Sequence, residues 1–281
     1  MKTEILFPSG ATESQSVIVD IVEADTYQDA IILDKTPFHP EDYKWKDQPS
    51  DKGYIMYGDK KFAVNKAIVF YSKDKNFVFD EQINKSKPDH SIGLFGVAHL
   101  IDKNHNIKCG DKINVFVDKE YRHSLSKAHT AAHLMSLALN KALSSHWSKE
   151  YKKDCLRSYN FDQAAIFSSK IEPVKSIDTY RLNKSAKRKG IDTNYILENP
   201  KTIEKEVNEL LIQWTKENSR SYIDSEEPFI DSNRLWKTKI QSTEVSIPCG
   251  GTHIDNIRNL KNISAKIEID SNFLIIHTQV S

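Results

Sequence analysis

Cysteine is scarce in this chain: Cys109, Cys155 and Cys249 are the three among 281 residues. An odd, scattered trio makes no disulfide framework and points to a reducing compartment, the cytoplasm by default. Apolar residues nowhere run on for the roughly 18 positions that a membrane-crossing helix needs. The first ten residues, broken by Glu4 and Pro8, lack the apolar core of a signal peptide. Excess charge is missing too. Forty basic side chains against 39 acidic ones leave a net +1, whereas a protein that coats nucleic acid without specificity is far more basic. No internal repeat or low-complexity linker is visible, and 38% hydrophobic with 28% charged residues suits one sizeable core or two smaller ones.

Against this ordinary background two short motifs stand out. His129-Thr130-Ala131-Ala132-His133 lies on an apolar helical pattern, which puts two imidazoles on one face a turn apart. Pro248-Cys249-Gly250-Gly251-Thr252-His253 makes a compact Cys-x3-His turn, its glycines allowing close backbone approach. Together His129, His133, Cys249 and His253 form a tetrahedral ligand set of three imidazoles and a thiolate, suited to one zinc per chain. A lone His-x3-His also occurs where one ring is satisfied in a core and the other is solvated; the second motif argues against that here. The two halves are too far apart in sequence for a zinc finger, so the metal would join distant parts of a core, as chemical sites more often do.

Missing partners narrow the chemistry. A His-Glu-x-x-His peptidase carries a glutamate as general base where this chain has Thr130. The nucleobase deaminase signature, His-x-Glu with Cys-x-x-Cys, is absent in both halves. The sequence nominates no general base.

Periodicity predicts an α+β protein. Residues 17–22, 30–33, 62–71, 77–79, 93–101 and 112–117 read as strands of a small barrel-like or sandwich domain, residues 1–118. A helical stripe follows over 126–152, with Ser124 or Ser126 as N-cap. Strands are expected at 179–182 and 236–247, a helix at 202–219 and a closing hairpin over 263–280, making residues 119–281 an α+β domain that holds all four ligands. Two stretches are candidates for nucleic-acid contact: the tract Lys184, Lys187, Arg188 and Lys189, and residues 146–153, where aromatics alternate with lysines. Both also fit an ordinary solvated face.

The two metal motifs together resemble the editing domain of alanyl-tRNA synthetases and the free-standing alanyl-tRNA editing proteins, the Cys-Gly-Gly-Thr-His form more than the related threonyl editing domain. A third stretch is similar as well: Leu33-Asp34-Lys35-Thr36-Pro37-Phe38-His39-Pro40-Glu41 and Gln48-Pro49-Ser50-Asp51-Lys52-Gly53 flank what is a short glycine-rich loop in that family. The resemblance covers residues 17 to about 270. It implies a zinc-containing editing site that hydrolyses the aminoacyl ester of mischarged alanine tRNA, Ser-charged and with Gly as a further candidate. It also implies an aminoacyl-tRNA deacylase acting in trans, since the chain has no room for an aminoacylation domain. The tRNA would be the partner, with no membrane involved. One departure is clear: Asp42-Tyr43-Lys44-Trp45-Lys46-Asp47 replaces the glycines, implying altered substrate choice or direct contact of Trp45 and the lysines with nucleic acid. Two other classes remain open, an inactive zinc-stabilised RNA-binding module and a zinc metallohydrolase acting on a small ester or amide.

Overall fold

The computed structural model describes residues 2–89 and 92–281. The chain forms two compact units. The first runs to His123 and adds Ile223–Leu235 and Pro248–Thr252; the second comprises Ser124–Tyr222, Trp236–Ile247 and His253–Ser281.

The first unit begins with β1 (Glu4–Ile5), β2 (Glu13–Glu23), β3 (Gln28–Leu33), β4 (Lys35–Thr36), β5 (Gly53–Tyr57) and β6 (Lys60–Val64). It continues with β7 (Lys66–Lys73), β8 (Asn76–Phe79), a short helix α1 (Gln82–Ser86), β9 (Leu94–Asp102) and β10 (Lys112–Val117). Eight of the strands form one sheet in the order β6-β5-β10-β2-β3-β9-β7-β8. Its inward residues, among them Ile18, Ile31, Leu33, Ile55, Val69, Val97 and Val115, make one core with Phe7, Phe38 and Ile230. Asp74 and Lys75 both take positive φ, so a two-residue turn of the twist-matching kind joins β7 to β8.

The run 62–71, expected as one strand, is two. Asn65 donates its backbone N–H to the Leu100 carbonyl and its side-chain amide to Asp102, and the chain steps there from pairing with β5 to pairing with β9. The first break between the two units falls after His123, and residues 223–235 rejoin the first unit. The Ile5 N–H bonds the Pro228 carbonyl at 2.8 Å and Glu4 bridges Phe229, long-range pairings that bring residues 223–235 back to the first unit.

His99 on β9 is fully buried. Its Nδ1 lies 3.0 Å from the Ile31 carbonyl, which can only accept, so Nδ1 carries the proton and Nε2 accepts from the Thr36 hydroxyl at 2.7 Å. Burial pushes the imidazole down from 6.5 to about 4, against the Ile31 hydrogen bond. The unfolded chain therefore binds a proton that the folded chain refuses, and stability falls as pH drops from about 6.5 to about 4, by about 3 kcal/mol from this group. Urea unfolding at stepped pH should show this loss, and His99→Gln should flatten that part of the profile. An unchanged acid limb in the variant would assign the loss to other groups.

The long helix α2 spans Lys119–Ala142 rather than 126–152. It starts early because the Asp118 carboxylate caps the Tyr121 N–H at 3.0 Å, a role expected of Ser124 or Ser126. It stops early because tertiary pairing takes over: Trp147 bridges Ile191 and the Ser148 N–H bonds the Gly190 carbonyl. Residues 146–153 therefore lie beyond the helix.

The second unit continues with α3 (Phe161–Ala165), β11 (Ile166–Glu172), β12 (Lys175–Arg181), α4 (Lys184–Arg188), α5 (Thr193–Glu198) and α6 (Pro200–Trp214). Then come β13 (Tyr222–Ser225), β14 (Arg234–Ile240), β15 (Thr243–Pro248), β16 (Ser264–Asp270) and β17 (Phe273–Gln279). The run 236–247 is broken at Gln241 and Ser242, both of positive φ. Strands β11-β12-β17-β16 form an antiparallel sheet. Its β16 edge is closed by α6, where the Asn208 side chain exchanges two hydrogen bonds with the Ala265 backbone and Glu204 accepts from the Ile267 N–H. The observed class is mixed α and β, in agreement with the α+β expectation.

Candidate metal centre

Helix α2 is buried along most of its length, with Ala128, Ala131, Leu134, Met135, Ala138 and Leu139 in the core. His129 and His133 stack one turn apart, ring centroids separated by 5.0 Å. His253 closes on both, at 4.5 Å from His129 and 5.1 Å from His133. Thr130, noted in the sequence for what it is not, positions His253. Its hydroxyl donates to the Ser126 carbonyl at 2.8 Å and accepts from the Ile254 N–H. With that one proton committed, it accepts from His253 Nδ1–H at 3.1 Å, which leaves Nε2 carrying the lone pair.

Aromatic and acidic neighbours hold His133. Trp236 stacks on its ring at 5.0 Å and 14°, and the indole N–H is anchored on the Ser221 hydroxyl at 2.7 Å. Asp162, whose backbone N–H bonds the Asn140 side chain, accepts the Tyr180 hydroxyl at 2.9 Å. Burial pushes the Asp162 carboxyl up, opposed by that hydrogen bond and by the field of His133.

Cys249 is buried with its thiol free of any disulfide. Its N–H bonds the Arg234 carbonyl, and the Gly251 N–H points at Sγ from 3.4 Å. A Cβ on Gly250 would fall 2.7 Å from Trp45 Cδ1, so only glycine lets this turn pass the indole. Gln48 grips the next residue from both ends: its amide donates to the Thr252 hydroxyl and accepts from the Thr252 N–H, each at 2.9 Å. Residues 42–47 thus do not merely lengthen a loop; Trp45, 37% exposed, covers the glycine turn.

His129, His133, Cys249 and His253 each offer one ligand atom, all within 4.8 Å of one another, a group that can hold a metal ion. Three imidazoles and one thiolate are the nitrogen and sulfur donors of a tetrahedral zinc shell. The residues present fit the ion.

A pocket of about 500 Å³ opens beside Cys249, lined by residues 42–45 and by Asp231, Arg234 and Pro248 among others. Three of its lining side chains hold buried polar atoms without a hydrogen-bond partner among the described residues: Tyr43 OH, Arg234 Nε and Asp231 Oδ1. Burial, with Asp42 and Asp231 adding to it, pushes the Tyr43 phenol up to about 12, so it remains a donor at neutral pH. Burial also raises the Asp42 carboxyl, against hydrogen bonds from the Lys44 and Trp45 backbone and the charge of Arg234, whose Nη2 is 3.8 Å away. Such convergent groups suit a small polar ligand.

The basic tract forms α4, capped by the Asn183 side chain. Lys184, Lys187 and Arg188 are exposed. Lys189 differs, since its ammonium donates to the Ala164 carbonyl at 2.6 Å and ties α4 to the end of α3. The roles of Thr130, Trp236, Asp162 and the Gln48–Thr252 grip were missed in the sequence. Gln48 carried a signal in its place in the third family-like stretch, and Thr130 and Thr252 in theirs within the two metal motifs.

No family model matches the chain. Among curated proteins it is 25% identical to the alanyl-tRNA editing protein AlaX-M of Pyrococcus horikoshii, over 83% of this chain and 78% of that protein. It is 31% identical to the alanine–tRNA ligase of Neisseria gonorrhoeae over 52% of the chain, and 26% identical to that of Clostridioides difficile over 81%. The matches cover only 14% and 21% of those two ligases. The chain is thus similar to an alanyl-tRNA editing protein over most of its length and to a segment of the alanine–tRNA ligases.

Proposed function

We propose that this chain is a trans-acting editing hydrolase that deacylates mischarged alanine tRNA, seryl esters foremost and glycyl esters as a further class, at a zinc-containing site. The observation that carries the reading is the four-ligand cluster at His129, His133, Cys249 and His253. Bound zinc would supply Lewis-acid polarisation of the ester or orient it.

The chain's own residues supply the selectivity. A synthetase pocket for alanine discriminates by only about 10- to 200-fold against a substrate that differs by a methyl or merely adds a hydroxyl, so a second site has to remove the errors. The pocket beside Cys249 has the groups for that. Tyr43 OH and Arg234 Nε are donors in want of an acceptor, Asp231 Oδ1 an acceptor in want of a donor, and a seryl ester brings a hydroxyl and an ammonium. An alanyl ester brings no hydroxyl and leaves one of these buried groups unpaired.

Deacylation measured side by side on Ser-, Gly- and Ala-charged alanine tRNA tests this. Seryl ester is expected to be cleaved at least about a hundredfold faster than alanyl ester, a lower bound for a site built around a substrate hydroxyl. Equal rates on all three would defeat the editing reading, and no cleavage of any would leave an inactive RNA-binding module.

A further inference from the structure

The second unit carries an exposed aromatic patch that the metal centre does not use. Between Ile166 and Ser168 the pairing of β11 with β12 slips by one residue, and the extra residue is Phe167. The bulge turns out two consecutive apolar side chains, Ile166 at 40% and Phe167 at 55% exposure. The Arg181 guanidinium stands 4.1 Å from the Phe167 ring and 5.8 Å from that of Phe273, and the two rings are 5.5 Å apart. Unlike β16, β11 is an edge strand whose outer side is not closed by side-chain hydrogen bonds among the described residues.

Helix α4 borders this patch. A groove of about 120 Å³ is lined by Ile166, Phe167 and Arg181 on one side and by Asn183, Ser185 and Ala186 on the other. Lys189 fastens α4 there through the Ala164 carbonyl. Lys184, Lys187 and Arg188 are exposed on the helix, while Asp270, opposite Phe273, is the flanking carboxylate by register.

From this juxtaposition we propose that Phe167, Arg181 and Phe273 form a stacking platform for unpaired bases of a single-stranded stretch of tRNA, with the α4 cations holding the adjoining phosphates. The inference rests on the reading of the chain as a tRNA-acting protein and adds where and how the RNA is held. An exposed aromatic ring backed by a guanidinium is what a nucleobase stacks on, independent of sequence. Charge selects the occupant. A second copy pairing edge to edge would set Arg181 and the α4 cations against their own like, whereas a polyanion is attracted to all of them.

Affinity for uncharged alanine tRNA and for a short single-stranded RNA, measured by anisotropy across a range of salt, tests the platform. Phe167→Ala is expected to weaken binding about 5- to 150-fold with an unchanged salt slope, because stacking releases no counterions. Phe167→Tyr should restore it. The triple substitution Lys184→Gln, Lys187→Gln and Arg188→Gln should instead flatten the slope by about 0.7 per lost contact. Wild-type affinity in Phe167→Ala overturns the proposal, as does a wild-type dimer in sedimentation that Phe167→Ala dissociates. Deacylation of seryl ester by the same variants is scored separately. Loss of RNA affinity in Phe167→Ala with no deacylase activity in the wild type removes only the proposed function; active wild type with unaltered affinity in Phe167→Ala removes only the platform.

Discussion

Cys249→Ala is expected to lose the metal and, with it, at least about a hundredfold in deacylation rate. Outer-sphere partners of a metal site commonly cost 10- to 100-fold when removed, and a ligand itself costs no less. Cys249 would supply the one soft, anionic ligand of the set; without it three neutral imidazoles would face a bound ion. Native mass spectrometry with metal analysis should find one zinc per wild-type chain and a small fraction of that in Cys249→Ala or His133→Ala. Because metal affinity is partly folding energy, the melting temperature of the wild type in chelator should approach that of the variants. Wild-type protein that purifies without metal, takes up none and still deacylates would end the zinc reading.

A second large effect concerns stability. Asp51 and Arg122 form a buried pair: Arg122 Nε donates to Asp51 Oδ1 at 2.7 Å, its Nη2 bonds Asp51 Oδ2 and the Pro37 carbonyl, and the His39 N–H donates to Asp51 at 2.6 Å. These bonds fasten residues 37–51 to the first turn of α2. Asp51→Ala strands a buried guanidinium and an unpaired N–H, and should destabilise by about 3–5 kcal/mol. For a chain of this size that is a fall of roughly 6–20 °C in melting temperature. Replacing both partners by apolar residues, Asp51→Leu with Arg122→Met, should recover much of the loss, since the cost lies in the widowed charge. A single variant that melts within a degree of the wild type would show the pair to be dispensable.

What could be read in the sequence was local. Strands such as 17–22, 30–33 and 112–117 are short apolar or alternating runs between turn formers, and β2, β3 and β10 contain them. His129 and His133 declare themselves because a helix fixes their spacing, and Cys249 and His253 because a glycine turn does. What escaped was set by partners distant in the chain. Nothing near Thr130 says that it holds His253, nothing near Leu143 says that pairing with residues 190–191 ends the helix, and the bulge at Phe167 exists only against β12. Strand β5 was missed because Ile55 is the sole buried residue in its five, too few for a period to show.

The return of residues 223–235 and 248–252 to the first unit orders events during synthesis. Ile230 belongs to the same core as Ile5 and Phe7, and the Ile5 N–H has its acceptor at Pro228. A ribosome that has released the first 123 residues has therefore delivered an unfinished sheet domain, with a gap in its core and an unanswered donor at its first strand. Elements of the second unit, β11, β12 and α6 among them, emerge before the stretch that fills that gap. The core of the first unit is therefore completed only once residues 223–235 have been made.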